Sequence, residues 1–170
     1  MNYLKGKSVY ISSPIECRGS DDWRNPLKKV LTEQFELDVF DPFCDPKQNR
    51  EYEIVRARQD KDYEKIRTIA KDFVRKDLAK VDRADMLLAY VPYKVPTVGT
   101  CHEIINANNS KKPVFLVTDG DKSKISFWYY GFIHYNFMFS NWQELYNMLE
   151  EINSGSQKHN NRFAYVYGLI

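Results

Sequence analysis

A chain of 170 residues fits one ordinary domain, and 43% hydrophobic residues with 12 Tyr, 10 Phe and 3 Trp supply a packed interior and exclude a disordered chain. The formal charge of +2 comes from acids and bases that alternate along the sequence, which disfavours a polyanion groove and a nucleic-acid partner. Cys17, Cys44 and Cys101 are odd in number and lack metal-type spacing, so the expectation is no disulfide framework, no zinc site and a reducing, cytoplasmic setting.

Residues 1–7 are too short and polar for a signal peptide, and no apolar run approaches bilayer length. Residues 8–13 form a β-rich run that stops at small residues and Pro14, which predicts a buried strand entering a loop. Asp21 and Asp22 can cap a helix from Trp23, with Leu27, Val30, Leu31 and Phe35 inward. A second strand over residues 37–40 ends where Pro42 and Pro46 resist regular structure. Residues 50–81 have a helical pattern with a break near Asp62 and with Ile54, Ile66, Ile69, Ala70, Phe73 and Leu78 inward.

The uniformly apolar residues 86–91 suit a strand covered on both faces, as parallel sheets require. A helix over residues 99–109, a strand over 113–117, a short strand over 137–139 and a last helix capped by Asn141 follow. Strands alternating with helices predict an α/β fold, doubly wound and Rossmann-like, with a five-stranded parallel sheet and helices on both faces. Residues 1–152 form the domain, and 153–170 read as a polar linker and an aromatic tail. Ligands of such sheets bind beyond the carboxyl ends of the strands.

Two acids fall at that end. Asp77 lies on the helix that enters the third strand, and Glu103 is expected on the first turn of the helix that leaves it. Two carboxyl groups in different surroundings can divide glycoside chemistry, one ionised to attack and one protonated to donate. A helix start favours the ionised form, and it is equally the place where a purely structural acid belongs. Asp77 alone also reads as a surface acid, and Asp82 and Asp85 as caps or partners of Arg83. Gly99 stands in neither a dinucleotide nor a triphosphate loop. Adjacent Cys101 and His102 point about 100° apart on a helix, a poor geometry for a thiol and its base.

The succession of Tyr10, Lys76-Asp77-Leu78, Arg83-Ala84-Asp85-Met86-Leu87-Leu88, Val98-Gly99-Thr100-Cys101-His102-Glu103-Ile104 and Lys112-Pro113-Val114 resembles the nucleoside 2-deoxyribosyltransferases. It also resembles their relatives, the 2′-deoxynucleoside 5′-monophosphate N-hydrolases. The tail Arg162-Phe163-Ala164-Tyr165-Val166-Tyr167-Gly168 is similar to the transferases' aromatic C-terminus, which helps to close the active site. The resemblance implies that Glu103 attacks the sugar, Asp77 handles the proton of the base and Tyr10 positions the carboxylate. It implies deoxynucleosides, their monophosphates and free bases as substrates, no cofactor and no metal, and a homo-oligomer in which residues 128–136 reach a neighbouring pocket. Asn136 would then touch the sugar, and Phe43 or Trp128 with Tyr10 would sandwich the base.

Thr97 departs from the transferases' acid and is like the hydroxyl residue of the hydrolases, so base preference stays open. Ser12, Ser13, Arg18 and Arg24 can hold a 5′-phosphate, or the two arginines can simply face solvent. Gly99, at the turn before Glu103, joins Thr97 among the substrate-facing positions. The reading is a transferase acting through a covalent deoxyribosyl-Glu103 ester, with the monophosphate hydrolase and a non-catalytic nucleotide-binding module as alternatives.

Overall fold

The computed structural model describes residues 2–14, 23–44, 50–95 and 97–169. Arg18, together with Cys17 and the expected caps Asp21 and Asp22, lies outside these. Five strands, β1 (Ser8–Ser12), β2 (Asp38–Phe40), β3 (Met86–Tyr90), β4 (Val114–Val117) and β5 (Met138–Phe139), form one sheet in the order β2-β1-β3-β4-β5. Every neighbouring pair is parallel. The helices are α1 (Arg24–Glu33), α2 (Glu51–Gln59), α3 (Tyr63–Arg83), α4 (Val98–Asn109) and α5 (Trp142–Ser154).

Alternation along the strands sends successive side chains to opposite faces and so builds two cores. Val9, Ile11, Met86, Leu88, Phe115 and Val117 pack with Leu27 and Leu31 of α1 and Leu145, Leu149 and Ile152 of α5. Tyr10, Leu87, Ala89, Val114 and Leu116 pack with Val81 of α3 and Ile104 and Ala107 of α4. The sheet is therefore doubly wound, and its strand order reverses between β1 and β3. A crevice opens at the carboxyl end of that reversal.

The helix boundaries have local causes. The expected break near Asp62 is real: its side chain accepts the amide of Lys65 at 3.0 Å and starts α3 anew. Asn141 caps α5 in the same way, accepting the amide of Glu144 at 3.0 Å. The Nζ of Lys112 ties off the other end of α3, donating to the carbonyls of Val81, Asp82 and Ala84 at 2.8, 2.5 and 2.7 Å.

Two details correct the sequence reading. Ala70 is exposed, because the buried side of α3 carries Ile69 and Val81 and the next residue turns about 100° away. Asp82 and Asp85 do not pair with Arg83. Asp82 accepts from Asn106 at 2.7 Å, and Asp85 accepts the amide and hydroxyl of Ser8 at 2.6 and 2.9 Å, joining the starts of β1 and β3.

The tail lies against its own chain. Phe163, Val166 and Tyr167 belong to the core on the α1 and α5 face, where Phe163 stacks on Phe115 at 6.2 Å and Tyr167 donates to the carbonyl of Ile152 at 2.9 Å. Among the described residues no helix is long and apolar enough to cross a membrane.

Candidate active site

A cavity of about 280 Å³ sits at the carboxyl ends of β1, β2 and β3. Ser13 and Pro14 extend β1 along one wall, Pro42 and Phe43 follow β2, and Phe73, Val74, Asp77 and Leu78 come from α3. Thr97, Val98, Gly99, Thr100, His102 and Glu103 complete the lining from α4 and its entry. Phe73 with Asp77, and Val74 with Leu78, are pairs four residues apart, so one side of α3 faces the opening.

Glu103 is held at both oxygens. The Tyr10 hydroxyl donates to Oε1 at 2.8 Å, and the Ser12 hydroxyl donates to Oε2. Both donors are fully buried. Glu103 stands in the second turn of α4, not the first, because the helix begins at Val98 and Thr97 marks its boundary. The helix-end field fades beyond the first turn, so the stabilisation expected from it passes instead to the two hydroxyls.

Tyr10 stays protonated. Burial drives its phenol far above the ordinary range, and the charges of Glu103 and Asp77 and the hydrogen bond to Glu103 add to that. Asp77 and Glu103 thus act on one hydroxyl from the cavity they share. The ring of Tyr10 is closed within the core, which corrects the expectation that it stacks on a base.

Arg24 is 3% exposed, which overturns solvent exposure as its place. Its Nη1 pairs with Asp41 at 3.0 Å, its Nη2 donates to the Ser13 hydroxyl, and its guanidinium lies 3.9 Å from the centre of the Phe43 ring. Lys28 approaches the other oxygen of Asp41 at 3.1 Å. Burial alone would raise the Asp41 carboxyl, but the Arg24 charge, the Lys28 hydrogen bond and the Phe43 amide overcome it and hold the group below its usual value.

Thr97 and the buried Tyr129 share a hydrogen bond of 3.1 Å between their hydroxyls. Gly99 leaves open space where a side chain would stand. Asn136 is exposed, its amide bonded to His134 Nδ1 at 3.3 Å, and it does not line this cavity. Trp128 is also exposed and borders a separate apolar depression that shares Thr97, Val98 and His102 with the cavity. The structure therefore gathers Tyr10, Ser12, Ser13, Phe43, Asp77, Thr97, Gly99 and Glu103 around one space within a single chain. Sequence reasoning missed the Asp41 partner of Arg24, and Tyr129 behind Thr97. The aromatic run around residue 129 was a signal for the second; nothing local marked the first.

Fold and site together define a flavodoxin-ordered α/β protein with a two-carboxylate cavity at the topological switch point. The family model for nucleoside 2-deoxyribosyltransferase matches residues 9–155, and the chain belongs to that family. A solved structure described as 2-deoxyribosyltransferase from the psychrotolerant bacterium Bacillus psychrosaccharolyticus is 18% identical and superposes with a TM-score of 0.57. The match covers 82% of this chain and 90% of that one, and it carries the likeness of fold. No curated protein matches the chain.

Proposed function

We propose that the protein transfers 2-deoxyribose between nucleobases through a covalent ester on Glu103. The observation that carries this reading is the two-point hold on Glu103 in a cavity that also contains Asp77. An oxygen of Glu103 attacks C1′ of the deoxynucleoside, and the N-glycosidic bond breaks with its electron pair passing to the base. Asp77 gives that nitrogen a proton. An incoming base then attacks C1′, Asp77 recovers a proton from it, and the ester bond returns its electrons to Glu103. Tyr10 and Ser12 steady the carboxylate, and Phe43 offers a ring to the base.

Incubation with a deoxynucleoside and a different free base tests the reading. The exchanged deoxynucleoside is expected by chromatography, and a mass increment of one deoxyribosyl group on Glu103 is expected when the acceptor is withheld. Base release with no exchange at any acceptor concentration would sink the transferase reading.

The neutral Thr97, with its hydroxyl engaged by Tyr129, favours a second reading as a 5′-monophosphate N-hydrolase. Arg24 gives that reading little support, since Asp41 already balances its charge. Faster cleavage of deoxynucleotides than of deoxynucleosides, with water the only acceptor, would select it. In either case we place the activity in the cytoplasm and in a homo-oligomer, with Asn136 of one copy directed at the sugar in another. The exposure of Phe127, Trp128 and Tyr135 on that segment supports an interface there.

A further inference from the structure

Arg24 opens α1, yet it and Asp41 form an ion pair in which each side chain is 4% exposed. The pair touches two walls of the cavity. Arg24 reaches the Ser13 hydroxyl beyond β1 and covers one face of the Phe43 ring beyond β2. Asp41 serves the same turn, accepting the Phe43 amide at 3.0 Å. One cation thus spans two loops that are distant in sequence, and one acid fixes it.

We propose that Arg24 is a positioning residue for the nucleobase, which holds the Ser13 and Phe43 walls at the separation a flat ring requires. The proposal rests on the reading of the cavity as a deoxynucleoside site. A buried ion pair adds little net stability compared with an apolar pair of the same shape, so its stability contribution does not account for it. Geometry does. The planar guanidinium can pair with a carboxylate, reach a hydroxyl and lie over an aromatic face at once, whereas an ammonium has one point of charge and no plane. A cation against one face of Phe43 also draws ring density towards itself, which leaves the ring a better platform for an electron-rich base.

The test combines Arg24→Lys and Phe43→Leu, singly and together. KM and kcat for deoxynucleoside cleavage are measured, with the Kd of free adenine from calorimetry and melting curves to verify folding. Arg24→Lys is expected to raise KM and Kd about tenfold while kcat changes by less than about threefold. In the Phe43→Leu background the same change is expected to have no further effect, because the arginine acts through the ring. Wild-type KM and Kd in a folded Arg24→Lys variant overturn the proposal, as does an equal loss with and without Phe43. Should Arg24→Lys fail to fold, Arg24→Gln, which keeps a planar end group and removes the charge, decides in the same assay: a roughly tenfold rise in Kd that vanishes in the Phe43→Leu background supports the proposal, and an unchanged Kd overturns it. A wild-type chain that neither cleaves deoxynucleosides nor binds base fails the functional reading itself, which separates that failure from an active enzyme indifferent to Arg24→Lys.

Discussion

The hydroxyl of Tyr10 meets Oε1 of Glu103 at 2.8 Å across 93 positions of sequence, so the middle of β1 aims a carboxylate carried by α4. Tyr10→Phe keeps the buried ring and deletes only the donor. Hydrogen bonds to charged groups contribute about 1.5–3 kcal/mol, so kcat is expected to fall roughly ten- to a hundredfold where the bond acts on the reacting carboxylate, with a fall of a few degrees in melting temperature. A variant with wild-type kcat would show that the bond does not serve the reaction. Because the phenol titrates far above its ordinary range, the wild-type enzyme should show no loss of activity from Tyr10 ionisation up to the ordinary phenol value of 10.0.

The Asp41 carboxyl is held below its ordinary value near 3.8. The unfolded chain therefore binds a proton before the folded chain does, and stability rises with pH between the two values. Its contribution is complete above the ordinary value and is lost as pH falls through the folded one. Asp41→Asn should flatten this acid slope in melting curves taken from pH 7 downward. At neutral pH it should also cost about 3–5 kcal/mol in urea unfolding, since it leaves the Arg24 charge buried without its acid. An unchanged acid slope would assign the acid sensitivity to other carboxylates.

The fold was legible because its signals are local. The apolar run of β3, the break near Asp62, the cap at Asn141 and the alternation of strand and helix each act within a few residues. The candidate site was legible only in part. Asp77, Tyr10 and Glu103, which the structure brings together, stood out through the order and spacing of short motifs, whereas the bonds of Ser12 to Glu103 and of Ser13 to Arg24 had no such signal. The Arg24 to Asp41 pair depends on how two loops close on each other, which no periodicity encodes. The burial of Tyr10 follows from the pleat of β1, in the middle of which it stands, and an aromatic residue in so short a run gives no sign of which face it takes.

Lys112 places one ammonium on three carbonyls at the end of α3, the helix that carries Asp77. Lys112→Met keeps the stem and removes the donors. Because the group is partly solvated, a loss of about 1 kcal/mol is expected in denaturant unfolding, with kcat preserved since the cavity lies further along the helix. A fall in kcat without a fall in stability would mean that the helix end controls the position of Asp77.

Glu103→Ala tests the covalent step most directly. Removing the carboxylate leaves Tyr10 and Ser12 as hydroxyls facing a small void, and deletion of a nucleophile costs roughly four orders of magnitude or more in turnover. The melting temperature should stay near wild type, because the carboxylate belongs to the cavity and not to either core. A small external anion such as azide can then enter the void and attack C1′ from the side that Glu103 occupied. Single inversion gives the deoxyribosyl azide of α configuration, whereas the two successive displacements proposed for the wild-type chain would retain the β configuration. Nuclear magnetic resonance of the sugar distinguishes the two anomers. Azide-dependent recovery with inversion assigns the nucleophile to position 103, and near-normal turnover of Glu103→Ala without azide would remove Glu103 from the reaction.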